Sequence, residues 1–199
     1  MTSPTRGRPH ASSREVLADA ACELFLEQGY QAASVAEISR RAGVSRASFF
    51  NYFDSKADIL WYAFDGHVSE LETALRDPGV TLSDALVGFG DGPAPETLAL
   101  GIVDAHTMGL EEELCAGRAL RQQRVAQAIA ERLLRDGTVR VSAEIIAAAY
   151  AAALAGAVWR WATLGAGRHS LSEVVGESLE AAERLVRMPD QRAAASRVP

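Results

Sequence analysis

Between residues 34 and 56 the chain starts three helices, and that crowding constrains its fold more than any other feature. Ser34-Val35-Ala36-Glu37 is a capping box: the serine oxygen and the glutamate carboxylate satisfy each other's free backbone donors. The short helix it opens carries Ile38 and Ala42 inward and stops at Gly43. Ser45 is the next N-cap, so only Gly43-Val44 separates the two helices, which must cross steeply with Val44 buried at the corner. Ser55, boxed by Asp58, starts a third. Upstream, Ser12-Ser13-Arg14-Glu15 is another capping box, followed by an apolar stripe of Val16, Leu17, Ala20, Ala21, Leu24 and Phe25 and a stop at Gly29. Short helix, glycine turn, short helix, braced by a longer amphipathic helix, is a helix-turn-helix.

Helical spacing dominates the rest. One helix runs from Ser55 to about Arg76, where Asp77-Pro78-Gly79 breaks it, and the glycine-rich stretch 80–95 leaves room for one short helix ending near Phe89. Further helices are expected over Glu96–Thr107, Leu110–Asp136, Val141–Leu164 and Leu171–Met188. Alternating β-branched runs are missing, and 48% hydrophobic residues in 199 supply a real core. The expectation is an all-α protein of about nine helices: a flexible basic arm (1–11), a helix-turn-helix domain (12–56), a helical body (57–188) and a flexible tail (189–199).

Several function classes lose support at this point. Cys22 and Cys115 stand apart in helical patterns, with no CxxC or Cys/His cluster, and read as buried free thiols. The four histidines are scattered; His67 and Glu70 share a helix face and Glu111 to Glu113 form an acidic run, a poor metal signature. No nucleophile elbow, phosphate loop or dinucleotide motif is present, so no catalytic residue, metal or cofactor is assigned. A helical enzyme or metal-binding protein, and an adaptor using its head on another protein, remain the alternatives. The N-terminus lacks the apolar core of a signal peptide, and the uncharged run Ile145–Trp159 falls short of the roughly 20 residues of a membrane span. A soluble cytoplasmic protein is expected, and arginine used in place of lysine, with abundant alanine, suggests a GC-rich bacterial genome.

The net charge of −6 is unevenly spread: residues 1–56 hold seven basic against six acidic side chains, so the body carries the acidity. On the third helix, Phe49 and Phe53 lie four apart on one side. Ala47, Ser48, Phe50 and Asn51 occupy the other, a face of small and polar groups plus one aromatic that suits a groove lined by bases and phosphates.

The run Ser34-Val35-Ala36-Glu37-Ile38, then Ala42-Gly43-Val44-Ser45-Arg46-Ala47-Ser48-Phe49-Phe50-Asn51-Tyr52-Phe53-Asp54-Ser55-Lys56, resembles the DNA-binding head of TetR-family transcriptional regulators over roughly residues 12–60. The resemblance implies a ligand-responsive repressor that binds double-stranded DNA, a palindromic operator, as a homodimer. Arg46, Ala47 and Ser48, with Ser45 and Asn51 beside them, fall at the base-reading end; Tyr52, Lys56 and Ser34 fall at phosphate-contacting positions. Phe50 departs from the family's usual tyrosine and loses its hydroxyl. Arg6-Gly7-Arg8-Pro9 places Arg6 and Arg8 to follow a minor groove.

The resemblance also implies a dimer through the last two helices, here Ile146, Ala149, Ala153 and Gly156 with Leu171, Val175, Leu179, Ala182 and Val186, although burial within one subunit explains some of these. A small, apolar effector is implied in the body, with His67, His106, Met108 and Trp159 as candidate lining residues.

Overall fold

The structure, a computed structural model, describes residues 13–187; the arm with Arg6 and Arg8, Ser12 of the first capping box, Met188 and the 189–199 tail lie outside the described residues. Ten α-helices and one 3-10 turn follow in order: α1 (Ser13–Gln28), α2 (Val35–Arg41), α3 (Arg46–Phe50), α4 (Lys56–Arg76), α5 (Leu82–Val87), the turn Gly88–Gly90, α6 (Glu96–Val103), α7 (Ala105–Met108), α8 (Glu111–Arg135), α9 (Arg140–Gly165) and α10 (Leu171–Val186). No strand occurs among the described residues, only an isolated bridge between Ala166 and His169. The count exceeds nine because the helix expected over 96–107 divides at Asp104, whose backbone (φ −101°, ψ 22°) leaves the helical region.

The head assembles as its local signals require. Both reciprocal caps, Ser34 with Glu37 and Ser55 with Asp58, are formed. Gly43 adopts φ +69°, a left-handed conformation that a side chain would strain, and lets the chain turn from α2 into α3. Phe25, Ile38 and Phe49 are fully buried and Phe53 nearly so, each contributing about 1.5–3 kcal/mol of apolar burial. Val44 packs against this core while staying half-exposed. Arg41 of α2 grips Glu27 of α1 with two bonds of 2.6 Å, and that hydrogen bonding lowers the Glu27 carboxyl pKa.

Helix α1 lies against α4, α6 and α7, and the Tyr30 amide donates to the Met108 carbonyl at 2.6 Å, joining head to body. In the body α9 is the central rod, packed against α6, α8 and α10. Ala143, Ala147, Leu154, Val158 and Trp161 are buried along it, while Val141, Ile145 and Leu164 are exposed. At 26 residues α9 is long and apolar enough to cross a membrane, unlike the shorter uncharged run inside it.

Small residues admit the largest side chains. A Cβ on Gly117 of α8 would stand 2.4 Å from the indole of Trp61, so glycine is what lets that ring lie against α8. Trp61 then packs edge-on to Phe64 and tilted against Trp159, with the Arg121 guanidinium 4.0 Å from its centroid. Arg121 is itself held by both oxygens of Asp65, at 2.8 and 2.7 Å.

Candidate nucleic-acid interface and effector cleft

Helix α3 is held at both ends. The Ser45 oxygen accepts from the Ser48 amide at 3.0 Å and pairs with the Ser48 hydroxyl at 2.8 Å, so both side chains first serve the N-cap. The helix ends at Phe50, earlier than a projection through residue 53 implies, and Asn51 is its exposed C-cap. Phe49 and Phe53 anchor it from below, their rings 5.7 Å apart. What remains outward is Arg46, Ala47, Phe50, Asn51 and Tyr52, with Ser48 half-exposed.

Phe50 gains a role here. Its ring is 46% exposed and lies 5.7 Å from the Arg46 guanidinium one helical turn away, edge-on to Phe49 at 5.3 Å. The phenyl ring therefore steadies Arg46 by cation–π attraction where a tyrosine would add a phosphate donor. Tyr52 is 39% exposed.

Two expected phosphate contacts look inward instead. The Lys56 ammonium donates to the carbonyls of Tyr30 (2.6 Å), Ala33 (3.1 Å) and Gln31 (3.4 Å), and sits 4.2 Å from the Tyr30 ring centroid. All three protons are committed to the turn between α1 and α2, and desolvation lowers the Lys56 pKa. Ser34 donates its amide and hydroxyl to Glu37 at 3.0 and 2.7 Å, so a carboxylate already occupies the N-terminus of α2 where a phosphate was expected. That pairing in turn lowers the Glu37 carboxyl pKa.

The body redistributes the effector candidates. His106 is fully exposed and bonded to Glu111 at 2.9 Å. Met108 is completely buried in the core, its carbonyl taken by Tyr30. His67 is buried against Phe89, bonded through Nε2 to the Pro93 carbonyl at 3.0 Å, with Nδ1 unpartnered among the described residues. Only Trp159 of the four lines an open cleft, of about 540 Å³, between α6, α8 and α9, with Ile102, Leu114, Arg118 and Gln122. Cys115 opens on the same cleft and is exposed, contrary to the expected burial of both thiols; Cys22 is buried, and burial raises its pKa to about 11.

The dimer candidates divide in the same way. Leu171, Val175, Leu179 and Ala182 are buried inside the subunit, where α10 meets α9 and the 3-10 turn, and so are unavailable to a partner. Ile146, Ala149, Ala153, Gly156 and Val186 are half-exposed, and Ile145 and Leu185 beside them are 65% and 69% exposed.

Residue type alone gave no sign of two further features. Glu113 of α8 accepts from the Tyr30 hydroxyl at 3.3 Å and the Trp61 indole at 3.4 Å, linking head, α4 and body. Arg118 lies over Trp159, 4.6 Å from its centroid. The acidic run at 111–113 was the only trace of the first.

A tight turn between two short capped helices, an anchored third helix with an exposed Arg–aromatic face, and a separate helical body define a helix-turn-helix protein. Residues 17–62 match the family model "Bacterial regulatory proteins, tetR family". That stretch of the chain is similar to the N-terminal domain of that family. The chain is 37% identical over 82 residues to the transcriptional regulator MftR of Mycobacterium tuberculosis, covering 40% of this chain and 41% of that protein. With the HTH-type transcriptional activator FasR of Mycolicibacterium smegmatis it shares 36% over 76 residues, 38% of this chain and 35% of the relative. The chain thus spans well under half the length of these relatives. Over the whole fold, SmeT, the repressor of the Stenotrophomonas maltophilia multidrug efflux pump SmeDEF, superposes with a TM-score of 0.52 at 19% identity, covering 90% of this chain and 95% of that one.

Proposed function

We propose that this chain is a ligand-responsive transcriptional regulator that binds a palindromic operator as a homodimer and represses until a small molecule fills its body. The single observation that carries the reading is the outward face of α3, where Arg46 is steadied by Phe50 beside exposed Ala47, Asn51 and Tyr52. Arg46 makes the bidentate contact to guanine, Ser48 and Asn51 approach the bases, and Tyr52 bonds a phosphate. Arg6 and Arg8 extend the footprint into the minor groove. Residues 12–56 form the DNA-binding head and 57–188 the effector and dimerisation body, acting in the cytoplasm without catalysis.

One head reads too few base pairs for tight specificity, so two are needed on a two-fold axis. The faces of α9 and α10 left open in the subunit, Ala149, Ala153 and Gly156 with Ile145 and Leu185 at one end, supply the dimer surface; small residues there allow close helix approach. The effector enters the cleft beside Trp159, with its apolar body on Ile102 and Leu114, and favours the state that releases DNA.

Selection of bound fragments from genomic DNA tests this directly. The expected result is a palindrome with two half-sites about one helical turn apart or a multiple of it. Failure to enrich any sequence at low salt would sink the DNA-binding reading, and a monomer at micromolar concentration would sink the dimer.

A further inference from the structure

The two long body helices carry seven arginines, and six are satisfied. Arg121 is paired with Asp65, Arg124 with Glu72, Arg132 with Asp136, Arg140 with Glu144 and Arg160 with Glu177, while Arg135 donates to the Leu75 carbonyl. Arg118 alone among them has neither a carboxylate nor a carbonyl partner among the described residues; its one recorded interaction is the face of Trp159. In a chain with 26 acidic and 20 basic side chains, a half-buried arginine left without a counter-charge is unusual. It also lines the 540 Å³ cleft, a volume in the range of small-molecule sites.

We infer that this cleft takes an organic monoanion, a carboxylate on a compact apolar body, with Arg118 as its counter-ion. A guanidinium lying over an indole keeps its in-plane N–H edges free, the geometry that receives both oxygens of a carboxylate. The ring meanwhile limits how far the side chain must be ordered on binding. The rest of the lining is chiefly apolar: Ile102, Ala105, Leu114, Ala119 and Trp159.

Glu111 sets the orientation. It lines the opposite end of the cleft, seven residues and so about 10 Å along α8 from Arg118. Its carboxyl pKa is lowered, first by a backbone hydrogen bond and then by His106, so it stays ionised at neutral pH and repels a second anionic group. The ligand therefore lies with its acid at Arg118 and its apolar end toward Ile102 and Ala105.

This inference rests on the reading of the body as an effector domain, and its test is separable from that reading. Binding of 2-naphthylacetate and decanoate to the full-length protein, each against its own neutral amide, is measured by calorimetry and by quenching of tryptophan fluorescence. The acids are expected to bind at least tenfold more tightly than the amides. Arg118→Met, which breaks no ion pair and loses only the stacking on Trp159, is expected to erase that preference, bringing acid and amide to equal affinity. Equal binding of acid and amide, a preference that survives in Arg118→Met, or no binding of either acid at millimolar concentration would each overturn the proposal. Operator binding, measured on the same protein before any ligand is added, reports on the regulator reading: its absence with the acid preference intact would overturn that reading and leave the cleft's chemistry standing.

Discussion

Lys56→Met separates two incompatible roles for the only lysine in the chain. Its ammonium holds the Tyr30 and Ala33 carbonyls at 2.6 and 3.1 Å, while the Gln31 carbonyl at 3.4 Å adds little. Hydrogen bonds from a charged donor contribute roughly 1.5–3 kcal/mol, and the half-exposed position keeps the total for two good bonds near about 2–3 kcal/mol. Methionine keeps most of the stem packing and removes only the donors. For a chain of this size, about 2–4 °C per kcal/mol gives a fall in Tm of roughly 4–12 °C, measured by circular dichroism at fixed protein concentration because any self-association also moves Tm. The second assay is the salt dependence of operator binding. Each phosphate contact contributes a slope of about −0.9 in log K against log salt, and a lysine engaged internally contributes none, so the slope should hold even as affinity drops through a loosened α1–α2 turn. A variant with wild-type Tm and a slope shallower by about 0.9 per subunit would refute the clamp and restore Lys56 to the phosphate backbone.

Three further outcomes are expected. Gly117→Ala should destabilise by about 1–3 kcal/mol, because its Cβ meets the Trp61 ring at 2.4 Å and overpacking outweighs the gain in helix propensity. Gly66→Ala, with nothing within 4 Å of its Cβ, should instead stabilise by about 0.5–1 kcal/mol, and urea unfolding of the pair checks both signs. In DNA binding, Arg46→Ala should relax preference at one base position by about 1–3 kcal/mol, and Phe50→Leu should reproduce part of that loss by removing the ring under the guanidinium; binding to single-base operator variants measures both. For the thiols, a pKa of about 11 keeps Cys22 protonated at pH 8, so a thiol reagent should modify exposed Cys115 rapidly and Cys22 only on unfolding. Equal rates at the two cysteines would contradict that burial.

What could be read without the structure is local. The caps at Ser34, Ser45 and Ser55 are formed, and most helix ends fall within a residue or two of their sequence signals. Phe49 and Phe53 are buried as their spacing requires. These features depend on atoms within about one helical turn, so the residues that decide them are adjacent in the chain.

The sequence is silent where the deciding partner is distant. Lys56 finds its acceptors 23 to 26 residues back, in a turn whose carbonyls carry no mark of their own in the sequence. The stripe from Leu171 to Ala182 announces that one face of α10 is covered, but not whether α9 of the same chain or a second copy covers it, because apolar burial is non-directional. His106 and Trp159 looked equally plausible as lining residues, and only the packing of α6, α8 and α9 put one in solvent and the other in a cleft.

Arg118 marks the same boundary most sharply. Its sequence context resembles that of Arg121 and Arg124 on the same helix, yet they meet Asp65 and Glu72 across the fold and it meets none. The sequence by itself determined a capped helix-turn-helix on an all-helical body, since those signals act over a few residues. Only the tertiary structure decided which charges are already neutralised and which face a cleft, because pairing depends on what long-range packing brings within about 4 Å.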